Sequence, residues 1–196
     1  MLKKINIVLF ILLVATHFSC NQKNSFNYQH PSMVFRKFVQ EIEKDGWVSD
    51  TARVKQLDMY NLSNAELRMQ NNLPFYTLSY EDTHVDQIID GNEEEALSKV
   101  QQIWAYYCRD KTHAYIISDG VIEEWQFEDA SRAEAAFNAF NGQKTNLYFN
   151  TEPCFYQIKS SVYVFHTRAM AFSIDQKRVF EKFIRRYGNK GESTSR

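Results

Sequence analysis

Apolar positions recur with a helical period in several stretches of the chain. Phe35, Phe38, Val39 and Ile42 mark a helix over about 33–45, with Ser32 as its N-cap and Gly46 as its C-terminal stop. Phe137 and Phe140 follow a capping box at Ser131-Arg132-Ala133-Glu134, and Gly142 stops that helix. Val179, Phe180, Phe183, Ile184 and Tyr187 form a stripe behind a second capping box, Ser173-Ile174-Asp175-Gln176, and Gly188 ends it. A further helix is expected over about 93–107, where Leu97, Val100, Trp104 and Tyr107 share a face. Glu93, Glu94 and Glu95 would then sit in its first turn, where negative charge suits the helix dipole. Ser63 or Asn64 is the expected cap of a short helix from Ala65 to Gln70.

Other stretches read as strands. Leu73 to Tyr80 is one, with Pro74 confined to its start or to a sheet edge. Ala114 to Ser118 and Val121 to Phe127 are β-rich runs separated by Asp119-Gly120, the dipeptide that favours a two-residue type I′ hairpin. Leu147 to Phe149 reads as a short strand. Phe155 to Ile158 and Val162 to Thr167 flank a turn at Lys159-Ser160-Ser161, with the second strand running on towards Phe172. Residues 114–188 thus read as hairpin–helix, hairpin–helix. Each hairpin has an apolar face that the amphipathic helix after it can cover. The expected fold is α+β: a single antiparallel sheet built from β-hairpins, with helices packed on one face.

Composition narrows the class. The 196 residues are 44% hydrophobic and 15% aromatic, which argues against disorder. Lys and Arg number 23 against 24 Asp and Glu, so the main electrostatic reason to expect a nucleic-acid partner is missing. One domain, residues 31–188, is the natural count, and a chain of this length buries about 70% of its unfolded surface.

The N-terminus has its own pattern. Lys3 and Lys4 precede Ile7 to Ala15, nine unbroken apolar residues, and Ser19-Cys20 follow. The run is too short for the roughly 20 residues of a spanning helix and suits a signal-peptide core. A buried N-terminal helix is the alternative. The segment resembles a bacterial lipoprotein signal peptide, with Ser19-Cys20 closing a lipobox. His17 and Phe18 depart from that pattern, which favours Leu and a small residue. The resemblance implies cleavage before Cys20 and lipidation of Cys20. The chain then divides into a signal peptide (1–19), the lipidated cysteine with a flexible tether (20–30), the domain (31–188) and a polar tail (189–196). It implies a cell-envelope location, anchored to a membrane through Cys20 and facing the periplasm or the cell surface. The mature chain would keep 21 basic against 24 acidic side chains.

With Cys20 lipidated, Cys108 and Cys154 remain, and an oxidising envelope makes Cys108–Cys154 the one intramolecular disulfide available. It would close a loop of about 46 residues, worth roughly 4 kcal/mol in the chain-entropy model. Two buried free thiols are the alternative.

Catalytic patterns are sparse. The sequence holds no H-E-x-x-H, G-x-S-x-G, Walker loop, G-x-G-x-x-G or C-x-x-C, and no cysteine–histidine spacing typical of zinc. No metal or other cofactor is expected. Cys108 with His113, oriented by Asp110 or Asp119, is the best nucleophile–base set, since a thiolate needs a nearby base. A structural cysteine and a surface histidine explain the same residues. His166 and Arg168 alternate onto one strand face, a candidate anion site or a solvated sheet face. The basic residues Lys177, Arg178, Lys182, Arg185 and Arg186 lie on the last helix, where an anionic membrane would attract them. The many tyrosines cannot all be buried with satisfied hydroxyls, so some should reach the surface and serve binding.

These readings favour a non-catalytic binding module for a protein or glycan partner. An inhibitor or immunity protein is the sharper alternative, and a Cys–His or carboxylate-based envelope hydrolase the enzymatic one.

Overall fold

A computed structural model describes residues 28–49, 64–80, 91–111, 119–141, 151–167 and 173–188. The signal segment, Cys20, His113, the runs 114–118 and 147–149, Arg168 and the tail 189–196 lie outside the described residues. In chain order the elements are α1 (Met33–Lys44), β1 (Trp47–Val48), β2 (Glu66–Gln70), β3 (Leu73–Leu78), α2 (Gly91–Ser98), β4 (Gln102–Asp110), β5 (Asp119–Gln126), α3 (Ala130–Phe140), β6 (Cys154–Ile158), β7 (Ser161–His166) and α4 (Ser173–Tyr187).

The strands form one antiparallel seven-stranded sheet in the order β2-β3-β4-β5-β7-β6, with β1 pairing the far end of β4. The α+β class and the single antiparallel sheet agree with the sequence reading. The helices do not agree with it: they cover both faces. Phe35, Phe38, Val39 and Ile42 of α1 and Val179 and Phe183 of α4 pack on one side, against Phe75, Trp104, Tyr106, Ile122, Tyr163 and Phe165. Ala96 and Leu97 of α2 and Ala133, Ala136 and Phe140 of α3 pack on the other, against Tyr107, Val121, Trp125, Phe155 and Val164. The helices that follow the two hairpins, α3 and α4, therefore lie on opposite faces.

The double covering explains the largest departure from expectation. Residues 102–110 are not the second half of a helix but β4. Ile103, Ala105 and Tyr107 face α2 and α3, while Trp104, Tyr106 and Cys108 face α1 and α4. A strand buried on both sides shows a continuous apolar run and no alternation, and such a run is indistinguishable from a buried helix by period alone. The helix before it is correspondingly short, Gly91–Ser98, with Glu93 and Glu94 in its first turn.

Two further elements differ. Asp119 and Gly120 do not turn the chain. They pair with Arg109 and Cys108 as the first residues of β5, so the hairpin joins β4 to β5. Residues 66–70 form strand β2 instead of a helix, and Asn71 and Asn72 make the two-residue turn into β3, with φ of 52° and 64°. Asn tolerates the left-handed region that a type I′ turn requires twice.

The first and last described helices follow the sequence signals closely, and α3 departs at its cap. Ser32 caps α1 by accepting the Phe35 N–H at 3.1 Å, and Gly46 follows with φ of 98°. Asp129, not Ser131, caps α3, accepting the Arg132 N–H at 2.8 Å. Gly188 closes α4 by donating to the Ile184 carbonyl at 2.8 Å. A Cβ there would lie 2.5 Å from that oxygen and 2.9 Å from the Tyr156 hydroxyl, so only glycine fits.

Candidate functional site

Strand β5 runs through the centre of the sheet and carries two consecutive glutamates. Alternation sends their side chains to opposite faces, and both are nearly inaccessible, Glu123 at 2% and Glu124 at 0% exposure. Burying a carboxylate is costly unless donors surround it, and each glutamate has its own set.

Glu123 points towards α2 and α3. It accepts the Trp125 indole N–H at 2.7 Å, and Nε2 of His166 lies 3.1 Å from its other oxygen. Pairing of Val121 with His166 places the histidine one step diagonally from Glu123. His166 itself is 2% exposed. It therefore lies against a buried carboxylate and not on a solvated sheet face.

Glu124 points towards α1 and α4. It accepts the Ser32 backbone N–H at 2.8 Å, the Tyr163 hydroxyl at 3.0 Å and the Gln126 amide at 3.3 Å. The Ser32 hydroxyl lies 3.0 Å from the same tyrosine oxygen. Gln126 also donates to the His30 carbonyl at 3.1 Å, and the Tyr28 hydroxyl reaches the Phe127 carbonyl at 3.5 Å. The segment leading into α1 is thus stapled to the middle of the sheet. Burial pushes the Glu124 carboxyl above its ordinary range, against the donors that hold it down, and burial likewise pushes the Tyr163 hydroxyl up. Tyr106 adds a third such link, donating to Glu43 at 2.5 Å, and its hydroxyl is also raised, first by burial and then by that bond.

These groups are placed to hold the fold. The nearest cavity, about 10 Å³, is lined by Trp47, Cys108, Ile122, Phe165, His166 and Gln176. It has room for roughly one water and not for a substrate.

Cys108 forms part of that cavity wall. It is 3% exposed, and its thiol lies 3.6 Å from the Gly120 carbonyl. Asp110 ends β4 opposite Trp47, and Asp119 starts β5 opposite Arg109. The expected Cys108–His113 set cannot be placed, because His113 lies outside the described residues. The Cys108–Cys154 disulfide does not form: neither cysteine is bonded to another. Strands β5 and β7 separate β4 from β6, so the two cysteines stand three strand spacings apart, about 14 Å. A disulfide needs Cα atoms within about 7 Å. Burial also pushes the Cys154 thiol up, which leaves little reactive thiolate.

Some tyrosines reach the surface in part: Tyr28, Tyr80, Tyr156 and Tyr187 are half-buried, as is Trp47. Tyr76, Tyr106, Tyr107 and Tyr163 are buried, as are Trp104 and Trp125. Tyr60, Tyr115 and Tyr148 lie outside the described residues. Exposed apolar side chains are instead found at Leu67 and Met69 on β2, Met33 and Ile174. Strand β2 is a sheet edge, with no strand on its outer side among the described residues. Leu67 and Met69 share one face of it, 43% and 59% exposed, while Arg68 on the other face lies 5.9 Å above the Trp104 ring.

Among the described residues no three His, Cys, Asp or Glu side chains converge as a metal-holding group, and no helix is long and apolar enough to cross a membrane. No protein-family model, characterised protein or solved structure matches the chain.

Sequence reasoning missed Glu123, Glu124 and the role of His166. The signal was present as Glu-Glu inside the β-rich run Val121 to Phe127. An acid pair inside such a run must put one side chain on each face, and a central strand buries both.

Proposed function

We propose that the chain is a membrane-anchored envelope lipoprotein whose domain is a non-catalytic binding module for a protein partner. The N-terminal pattern ending at Ser19-Cys20 supports the anchor. The edge strand β2 supports the binding role, and it is the observation that carries the reading. An edge strand offers a row of backbone donors and acceptors to an extended segment of another chain. Leu67 and Met69 supply apolar side chains beside that row. A protein partner is favoured over a glycan because Trp104, Trp125 and half of the described tyrosines, side chains that stack on sugars, are held in the core, and the remaining described ones are at most half-exposed.

The decisive experiment places a photo-crosslinking side chain at position 69 in cells, with a second probe at Lys99 and a Cys20→Ala chain as controls. The reading expects one partner captured from position 69 at near-stoichiometric yield, none from position 99, and loss of capture in the mislocalised control. Leu67→Lys should abolish capture from position 69, since an edge charge blocks strand addition. Equal capture from both probes would refute the edge as the site. Turnover of an envelope substrate by the purified chain, abolished by Cys108→Ala or His113→Ala, would refute the non-catalytic role.

A further inference from the structure

The two helical layers carry opposite charge. Helix α4 has five basic side chains against two acidic, and α1 with Asp45 has three of each. Helices α2 and α3, with the flanking Lys99, Glu128 and Asp129, have two basic against six acidic. One helical layer is therefore net +3 and the other net −4, within a chain that is nearly neutral.

Positive charge concentrates on the outer side of α4. Lys177, Arg178 and Arg185 are exposed there, beside Ile174 at 62% exposure. Ile174, Arg178, Glu181 and Arg185 lie at helical spacing on one stripe, with Lys177 beside it, so the stripe carries three cations and one carboxylate. Among the described residues Lys177 and Arg185 form no ion pair. Lys182 pairs with Asp45, the exposed Arg186 with Glu41 of α1, and Arg178 with Asp175 at 3.4 Å on its own helix. Exposed cations beside one projecting apolar side chain suit attraction to an anionic lipid surface.

The chain path aligns this stripe with the anchor. The pairs Asp45–Lys182 and Glu41–Arg186 make α1 and α4 antiparallel, so the start of α1 lies at the end of α4 that carries Arg185. Tyr28 to Ser32 are fixed at that start by Glu124 and Gln126. Residues 20–27 separate this point from Cys20, and covalent geometry caps their reach at about 28 Å.

We infer that the outer face of α4, centred on Ile174, Lys177, Arg178 and Arg185, docks on an anionic lipid surface. The orientation rests on the Cys20 anchor; the docking chemistry is independent of it. The domain then lies with its basic layer on the membrane and its acidic layer away from it. Helix α4 packs on β6 and β7, so β2 stands at the opposite edge of the sheet from the helix that meets the lipid.

The test uses the full chain on vesicles of phosphatidylcholine alone, or of phosphatidylcholine and phosphatidylglycerol in equal parts. An amine-reactive ester footprints the lysines. Lys177 should lose most of its reactivity on the mixed vesicles and regain it at high salt, while Lys99 on the acidic layer stays reactive on both. Each cation near an anionic leaflet raises partitioning about fivefold. Lys177→Ala/Arg178→Ala/Arg185→Ala should therefore lower the anionic-over-neutral binding ratio by about tenfold or more, and Lys99→Ala/Arg132→Ala should not lower it. Equal footprints on Lys177 and Lys99, or a ratio unchanged in the triple variant, would overturn the inference. The mass of the Cys20 peptide from cells reports lipidation separately. An unmodified Cys20 defeats the anchor alone, and a lipidated chain with a reactive Lys177 defeats the docking face alone.

Discussion

Rings build the core between the sheet and helices α1 and α4, whereas alanines set the helix distance on the α2 and α3 side. On the first face Phe183 lies 4.9 Å from Phe38, 4.7 Å from Tyr163 and 5.3 Å from Phe165, centroid to centroid. On the second, Trp125 meets Phe140 at 5.1 Å and Phe155 at 6.0 Å, while Ala133 and Ala136 are fully buried beside them. Edge-to-face rings tolerate irregular spacing, and each such pair adds about 0.5–1.5 kcal/mol beyond its buried area. Small side chains let a helix approach closely but leave it no slack. The two faces should therefore fail in different ways.

The largest effect is expected on the ring face. Phe183→Ala removes one side chain that meets five other rings and should cost about 3–5 kcal/mol in urea unfolding. Phe140→Ala, with two principal ring partners, should fall at the lower end of the same range. A larger loss from Phe140 than from Phe183 would reverse the comparison.

The alanine face should be the more sensitive to added volume. Ala136→Leu forces α3 off the sheet and should cost about 1–3 kcal/mol. Val179→Leu, at the rim of the ring face with 9% exposure, should cost less than about 1.5 kcal/mol. Equal costs would mean that α3 can shift as freely as α4.

The same contrast decides what could be read from the sequence. Helices α1 and α4 have one buried stripe and one wet face, so Phe35 to Ile42 and Val179 to Tyr187 announce them. Strand β4 has no wet face between Ile103 and Cys108, and its apolar run mimics a helix. Asp119-Gly120 is a turn signal by local preference alone; pairing with Arg109 and Cys108 overrides it. The Asn71-Asn72 turn uses residues that visit the left-handed region less readily than glycine, and it passed unnoticed. Of the candidate site, Cys108 was visible as a residue, but its distance from Cys154 depended on strand order, which no spacing along the chain reveals. The paired glutamates were visible only as two acids in a strand.

Those glutamates sharpen the comparison through pH. Burial raises the Glu124 carboxyl above its unfolded value of about 4.3. A raised folded-state value means that stability is fully present below the unfolded value and is lost as pH rises through the folded one. Wild type should therefore lose unfolding free energy as pH climbs from about 5 towards neutrality. Glu124→Gln should cost about 1 kcal/mol at the acid end, by weakening the links to Ser32 and Tyr163. It should also flatten the decline, and the difference between the two urea-derived curves isolates Glu124 from the Glu123–His166 pair on the other face. Parallel curves would show that Glu124 is ionised throughout.

The smallest effect tests how the helices of the ring face are tied to each other. Tyr187 packs its ring on Phe38 and Phe183 and donates its hydroxyl to Glu41 at 3.2 Å. Tyr187→Phe keeps the ring contacts and removes only that bond, which is partly exposed, so about 0.5 kcal/mol is expected. Burial first, and then the Glu41 charge, push the Tyr187 hydroxyl up to about 12. A raised value again carries stability that is present below the unfolded value, about 10, and is lost as pH rises through the folded one. Alkaline titration of the phenol absorbance should show a step at about 12 in wild type, below those of the more deeply buried Tyr106 and Tyr163, that is missing in Tyr187→Phe and shifted down in Glu41→Gln. If that phenol titrates at the ordinary tyrosine value of about 10, the hydroxyl is not held against α1. The ring face would then depend on stacking alone, and its helices would be joined by shape where those of the alanine face are joined by close approach.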